Sequence, residues 1–316
     1  MHNRTVSEDV VLSVLGGMPI EAVARRAGTS PARLAEAVER YRAAGQQALH
    51  QQPAGWHQVY VQFAVYPTAA RAFRAYLLPT LREETVGTWW FLRKYPYWRL
   101  RVHPAPDAPA EPVIARVTQA LDSAAFWGAV KEWHSSLYEP ETIAFGGLEG
   151  LNIAHRLFYA DSLGVLAYDQ LADEGADRLP EAKVASLLLL ASFLRSAGLE
   201  WGEQGDVWAQ VEAKRALPAD VPPAKVSGMV DAMRSLLTVD ASAAFADGPL
   251  ASLRTWLTST DCEGQALRRA AHANRLRLGL RGILARHIIF HWNRMGFSTR
   301  QQAIWARAAR EAVIGA

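Results

Sequence analysis

One segment, TWWFLRKYPYWRLRVHP (residues 88–104), constrains the fold of this 316-residue chain more than any other. Its aromatic and branched residues favour pleated, half-buried positions, and the Tyr-Pro pair at 95–96 interrupts them, so it reads as strand, turn, strand. Side chains alternate across a strand, so Arg99 and Arg101 share one face while Leu100 and Val102 take the other. Neighbouring guanidiniums repel unless an anion lies between them, which points to a carboxylate or phosphate ligand. The alternative is a solvated sheet face with arginines stacked on Trp89, Trp90, Tyr97 or Trp98. Arg93, in the same segment, is a third candidate ligand-binding cation.

The surrounding pattern gives an α+β fold: a mixed or antiparallel sheet core, a large helical half and a small N-terminal helix-turn-helix-like unit. Residues 1–48 form the helical unit. Ser7 is expected to cap a first helix, Gly28 to end a second, and Ser30-Pro31 to open a third with Leu34, Val38 and Tyr41 at helical spacing. The third helix carries Arg33, Arg40 and Arg42 but no wider basic field. A docking module is therefore preferred to a DNA reader, and nucleic acid is not an expected partner. Residues 46–55, QQALHQQPAG, read as a linker to a second domain, 56–316. In that domain WHQVYVQFAVY and AVKEWHSSLYEPE are expected as further strands, TAARAFRAYLLPTLREE as a helix kinked at Pro79, and nearly everything after Gly147 as helix. The long stretch from Glu263 to Phe290 is included in that helical reading.

A net charge of +3 is too mild to imply nucleic acid by itself, and a 50% apolar chain can bury a core. A single cysteine, Cys262, excludes an intramolecular disulfide and a cysteine zinc cage, and the N-terminus lacks the pattern of a signal peptide. The longest apolar run, VASLLLLASFL, is too short to span a bilayer. A cytoplasmic protein with no membrane partner is expected.

Two further stretches offer chemistry. In SSLYEPETIAFGGLEG, Glu139 and Glu141 bracket Pro140, and Gly146-Gly147 precede a helix. In RHIIFHWNRMG, His287 and His291 stand four apart on one helix face, beside Asn293 and Arg294. No glutamate follows the first histidine as in a zinc helix, so no metal is expected, and a histidine there suits a general base.

Taken in order, WHQVYVQF, WWFLRKYPYWRLRVHP, YEPETIAFGG, FYADS and HIIFHWNRMG resemble the thiopeptide-type bacteriocin biosynthesis proteins. These are similar to the C-terminal elimination domain of class I lantibiotic dehydratases. The resemblance implies removal of a Cα proton and expulsion of glutamate from glutamylated Ser or Thr of a precursor peptide, with no cofactor. It implies that Arg99 and Arg101 clamp the departing glutamate and that His291, or else His287, is the base. Arg93, Glu141 and Arg294 are the remaining substrate-binding candidates. A separate tRNA-dependent glutamylation protein is the implied partner, because the chain is too short to hold that domain. The family's turn carries an arginine where this chain has Ala144. That departure keeps two alternatives open: a pyridine synthase joining two dehydroalanines by a formal [4+2] cycloaddition, and a non-catalytic peptide- or DNA-binding protein.

Overall fold

The computed structural model describes residues 6–50, 55–176 and 178–315. The chain divides into two compact units, Met1–Ala54 and Gly55–Ala316.

In the first unit, helices α1 (Glu8–Leu15), α2 (Ile20–Ala27) and α3 (Pro31–His50) enclose Val11, Val23, Ala24, Leu34 and Val38. Gly28 adopts a left-handed conformation that ends α2, as expected of a glycine at that position. The Ser30 hydroxyl accepts from the Arg33 N–H and caps α3, whereas Ser7 makes no side-chain cap to α1. Helix α3 continues to His50, so the expected linker at 46–55 begins as helix, and residues 51–54 lie outside the described residues.

The second unit is built on four antiparallel strands, β1 (His57–Phe63), β2 (Val86–Lys94), β3 (Tyr97–Pro104) and β4 (Val130–Ser136), in the order β2-β3-β1-β4. One face buries Val59, Val61, Phe91, Trp98 and Leu100 against the 69–81 helical segment and α4 (Ala110–Phe126). That segment contains a π turn, Phe73–Leu77, directly before Pro79; the Leu78 N–H reaches back to the Phe73 carbonyl. The wider turn absorbs the distortion expected at the proline.

Helices α5 (Leu148–Asp173), α6 (Ala182–Ser196), α7 (Trp201–Lys214), α8 (Arg254–His272), α9 (Leu280–Met295) and α10 (Thr299–Ile314) make up most of the helical half. The helical stretch from Glu263 to Phe290 is divided between two helices, α8 and α9. Asn274 takes φ +52° between them, a left-handed conformation that asparagine tolerates. The Arg277 N–H in this connection donates to the Gly146 carbonyl at 2.8 Å, tying it to the turn before α5.

Strand β2 is a sheet edge, whose free backbone groups need partners when buried. Helices α5 and α9 provide them at Phe91. Its N–H donates to the Ser162 hydroxyl at 3.3 Å, and its carbonyl accepts from Arg294 Nε at 3.1 Å. This junction brings both helices across the second sheet face, where the candidate site lies.

Candidate functional site

The pleat and the register assemble the site. Arg101 pairs across the sheet with Trp90 and Gln58, and Arg99 with Leu92 and Tyr60. Trp98, Leu100 and Val102 are buried in the core on the other face, so Arg99 and Arg101 do share a side. A cavity of about 140 Å³ opens there between the sheet, the 138–145 segment and α9. Its lining brings together the cations Lys94, Arg99, Arg101, Arg215 and Arg286 against two carboxylates, Glu139 and Glu141. Aromatic rings complete it, among them Trp90, Tyr138 and Phe290.

Arg101 is only 7% exposed, and its guanidinium carbon lies 4.0 Å from the centre of the Trp90 ring. Its Nε and Nη1, the Nε of Arg99 and the indole N–H of Trp90 have no hydrogen-bond partner among the described residues. Buried polar groups are normally paired, so unpaired donors on residues that line one cavity point to a ligand that accepts. Burial pulls the Arg101 pKa down to about 10, with Arg99 adding to the effect. The cation is thus held in a place that disfavours it until an anion arrives. Arg99 lies 5.0 Å from the Tyr60 ring, so stacking accompanies the anion-facing arrangement.

Other lining groups differ in how far they are committed. Arg286 stands 3.3 Å from Glu141, which makes Glu141 an ion-pair partner within the cavity. Arg215 donates to Gln302 at 2.8 Å and to the Lys214 carbonyl at 2.9 Å. Burial, followed by Arg215 and Arg99, lowers the pKa of Lys94.

The turn that closes the cavity depends on Gly150. The Phe145 carbonyl oxygen occupies the place of a side chain there, 1.8 Å from where a Cβ would stand. Ala144 does not line the cavity. It lines an adjacent open groove of about 830 Å³ that shares Arg286 with it. The groove is larger, but Arg281, one of the cations that line it, already pairs with Glu203 and Asp206. The smaller cavity, with its buried unpaired donors, is the better chemical site.

The structure does not bring His291, His287, Arg294 and Arg93 to this cavity. On α9 the helical period turns Arg286, Ile289, Phe290 and Asn293 toward it. His287 and His291 share a face, as their spacing requires, but that face points into the helical half. His291 is 4% exposed; its Nδ1 lies 2.9 Å from Asp161 Oδ1 and its Nε2 2.9 Å from the Ser186 hydroxyl. Both ring nitrogens are therefore occupied. Asp161 also accepts from the Trp256 indole at 2.9 Å and pairs with Arg294. Burial alone would raise the Asp161 carboxyl, but His291 and Arg294 beside it hold it well below the usual carboxylate range. His287 packs 5.0 Å from the Phe145 ring, and burial lowers its pKa to about 3, with Arg294 adding to the effect. Arg93 points to the core face, where it pairs with Asp169 and lies 4.6 Å from the Trp98 ring. Neither it nor Ala144 places a cation in the cavity.

Four groups escaped the sequence reading: Lys94, Tyr138, Arg215 and Arg286. For Lys94 a signal was present, since it lies two residues beyond Leu92 on the strand face of Arg99. Nothing local distinguishes the other three.

The family profile described as "Lantibiotic biosynthesis dehydratase C-term" matches residues 56–313, and this chain belongs to that family. A "Helix-turn-helix domain" profile matches residues 8–56. Similar solved structures include the tRNA-dependent lantibiotic dehydratase MibB from Microbispora sp. 107891, at 18% identity and a TM-score of 0.55. The match covers 82% of this chain but only 28% of MibB. The pyridine synthase TbtD from thiomuracin biosynthesis is 16% identical, with a TM-score of 0.56, covering 82% of this chain and 97% of TbtD. TsrL is 18% identical, with a TM-score of 0.53, covering 81% and 93%. At these identities the likeness is one of fold. No curated protein matches the chain. Among the described residues no helix is long and apolar enough to cross a membrane.

Proposed function

We propose that this protein is an enzyme of ribosomal peptide modification that expels glutamate from glutamylated Ser or Thr of a precursor peptide. The observation that carries the reading is the pair Arg99 and Arg101, whose unpaired donors belong to side chains lining one cavity rich in cations. In the reaction a base takes the Cα proton, the Cα–Cβ double bond forms, and the Cβ–O bond breaks. Glutamate leaves with the bonding electrons as a carboxylate. Donors already desolvated and fixed stabilise that developing charge without reorganising.

The proton acceptor belongs in the cavity wall. His291 has both nitrogens bound elsewhere, whereas Lys94 lines the cavity, and burial, followed by Arg215 and Arg99, lowers its pKa toward that of a general base. Lys94 takes the role first expected of His291. A separate tRNA-dependent protein supplies the glutamyl ester.

One observation favours a second reading, a pyridine synthase. Trp90, Tyr138, Phe145, Phe158 and Phe290 give the cavity a broad aromatic wall. Such a wall suits the positioning of two dehydroalanines.

One experiment separates the two. The protein is incubated with a glutamylated Ser/Thr peptide and, separately, with a dehydroalanine-rich azole peptide, and products are followed by mass. Release of free glutamate with formation of a dehydrated peptide is expected. An unchanged glutamyl ester beside turnover of the azole peptide would establish cycloaddition instead.

A further inference from the structure

Two polar side chains, the half-buried Tyr138 and the buried His155 behind it, have no part in the elimination reading above. The Tyr138 hydroxyl lies 2.8 Å from His155 Nε2. Tyr138 lines the cavity, and its ring lies 5.2 Å from the Arg101 guanidinium carbon. Its position is secured from both sides. Gln58 on β1 donates to the Leu137 carbonyl at 2.9 Å, and His155, 8% exposed on α5, packs 4.5 Å from the Trp56 ring.

Both partners are neutral near pH 7. Burial pushes the phenol well above its ordinary value and Glu141 adds to the rise, which Arg101 only partly offsets. Burial lowers His155 to about 4, with His103 and Arg101 adding to the effect. A neutral imidazole has one donor and one acceptor nitrogen. With the hydrogen on Nε2, His155 donates to the phenol oxygen and leaves the phenol hydrogen free to point elsewhere.

We propose that Tyr138, positioned by His155, donates a hydrogen bond to the anionic oxygen that Arg99 and Arg101 bind in the cavity. This rests on the anion-site reading and adds a neutral donor to its two cations. A carboxylate or an enolate oxygen fits. The opposite role, a tyrosinate base, is disfavoured by burial and by Glu141. Passing the proton on to His155 would place an imidazolium beside Arg101 and His103.

Calorimetric titration of the full chain with glutarate, a dicarboxylate with no titrating amine, tests this from pH 6.5 to 9. Wild type is expected to bind, and any fall in its affinity from pH 7 to 9 is expected to follow the Lys94 amine and vanish in Lys94→Met, because the phenol keeps its proton. Tyr138→Phe retains the ring beside Arg101 and is expected to bind about tenfold more weakly, the loss of one charge-assisted hydrogen bond. Arg101→Ala is expected to lose about a hundredfold or more, since it removes a buried cation from the ligand's charge. His155→Leu should weaken binding as Tyr138→Phe does, while His155→Gln, which keeps a donor, should recover most of it.

Wild-type affinity in Tyr138→Phe beside lost affinity in Arg101→Ala overturns the tyrosine's role and leaves the anion site standing. A tenfold fall in affinity between pH 7 and 9 that persists in Lys94→Met but is absent from Tyr138→Phe also overturns it, because the phenol, and not the Lys94 amine, then ionises in that range. Failure of wild type to bind, or normal binding by Arg101→Ala, overturns the anion site and the tyrosine's role together.

Discussion

Arg101 lies over the Trp90 ring and Arg294 over the Phe158 ring of one aromatic cluster, and both are buried cations. Their surroundings differ in one respect. Arg294 meets Asp161 and the Phe91 carbonyl, so its charge is answered inside the fold and it fastens α9 to the sheet edge. Arg101 meets ring faces and other cations, with two of its nitrogens unpaired. Burying a charge costs several kcal/mol unless it is paired. A cation answered internally contributes to architecture; one left unanswered at a cavity is held ready for a ligand.

The contrast makes its largest prediction at the internal network. Asp161→Ala strands Arg294 and His291 in an apolar interior and should cost about 3–5 kcal/mol of stability, read from urea unfolding. A loss under about 1 kcal/mol would mean that the network is not structural.

Next in size, Arg101→Ala should slow turnover of the glutamylated peptide about 100-fold or more, equivalent to about 2.7 kcal/mol in the barrier. Its stability should change by less than about 1 kcal/mol, or rise, because a desolvated charge is removed. Destabilisation as large as that of Asp161→Ala would erase the distinction.

A third test uses acid. His155 is neutral in the fold, with its pKa lowered from 6.5 to about 4, so the unfolded chain binds the proton first. Its stabilising effect is complete above pH 6.5 and is lost as pH falls toward 4. By linkage it should cost roughly 2 kcal/mol at pH 5, and His155→Phe should show a correspondingly shallower loss of stability between pH 7 and 5. An unchanged slope would place His155 in a more solvated setting.

The smallest expected effect sharpens the boundary of the site. Ala144 faces the open groove, so Ala144→Arg should alter stability by less than about 0.5 kcal/mol. It should leave the affinity of the cavity for glutarate within about threefold. A larger gain would show that the turn can deliver a cation into the cavity.

Much of this was legible along the chain. Alternation in β3 determined that Arg99 and Arg101 share a face, and composition with turn residues marked the antiparallel ribbon and the helical half. The four-residue spacing of His287 and His291 likewise determined a common face. Which way that face turns was decided only by packing. Asp161 and Ser186 stand 130 and 105 residues before His291, and their hydrogen bonds draw it inward. Arg93 shows the same division: its parity with Phe91 was readable, but its commitment to Asp169 required α5 to lie against the sheet. Lys94, Tyr138, Arg215 and Arg286 come from a strand, a loop and the helical half, so their convergence is a long-range event. Periodicity acts between near neighbours and determines which side of an element a residue occupies. Only the closure of distant elements upon one another decides whether that side meets a partner, a core or an open cavity.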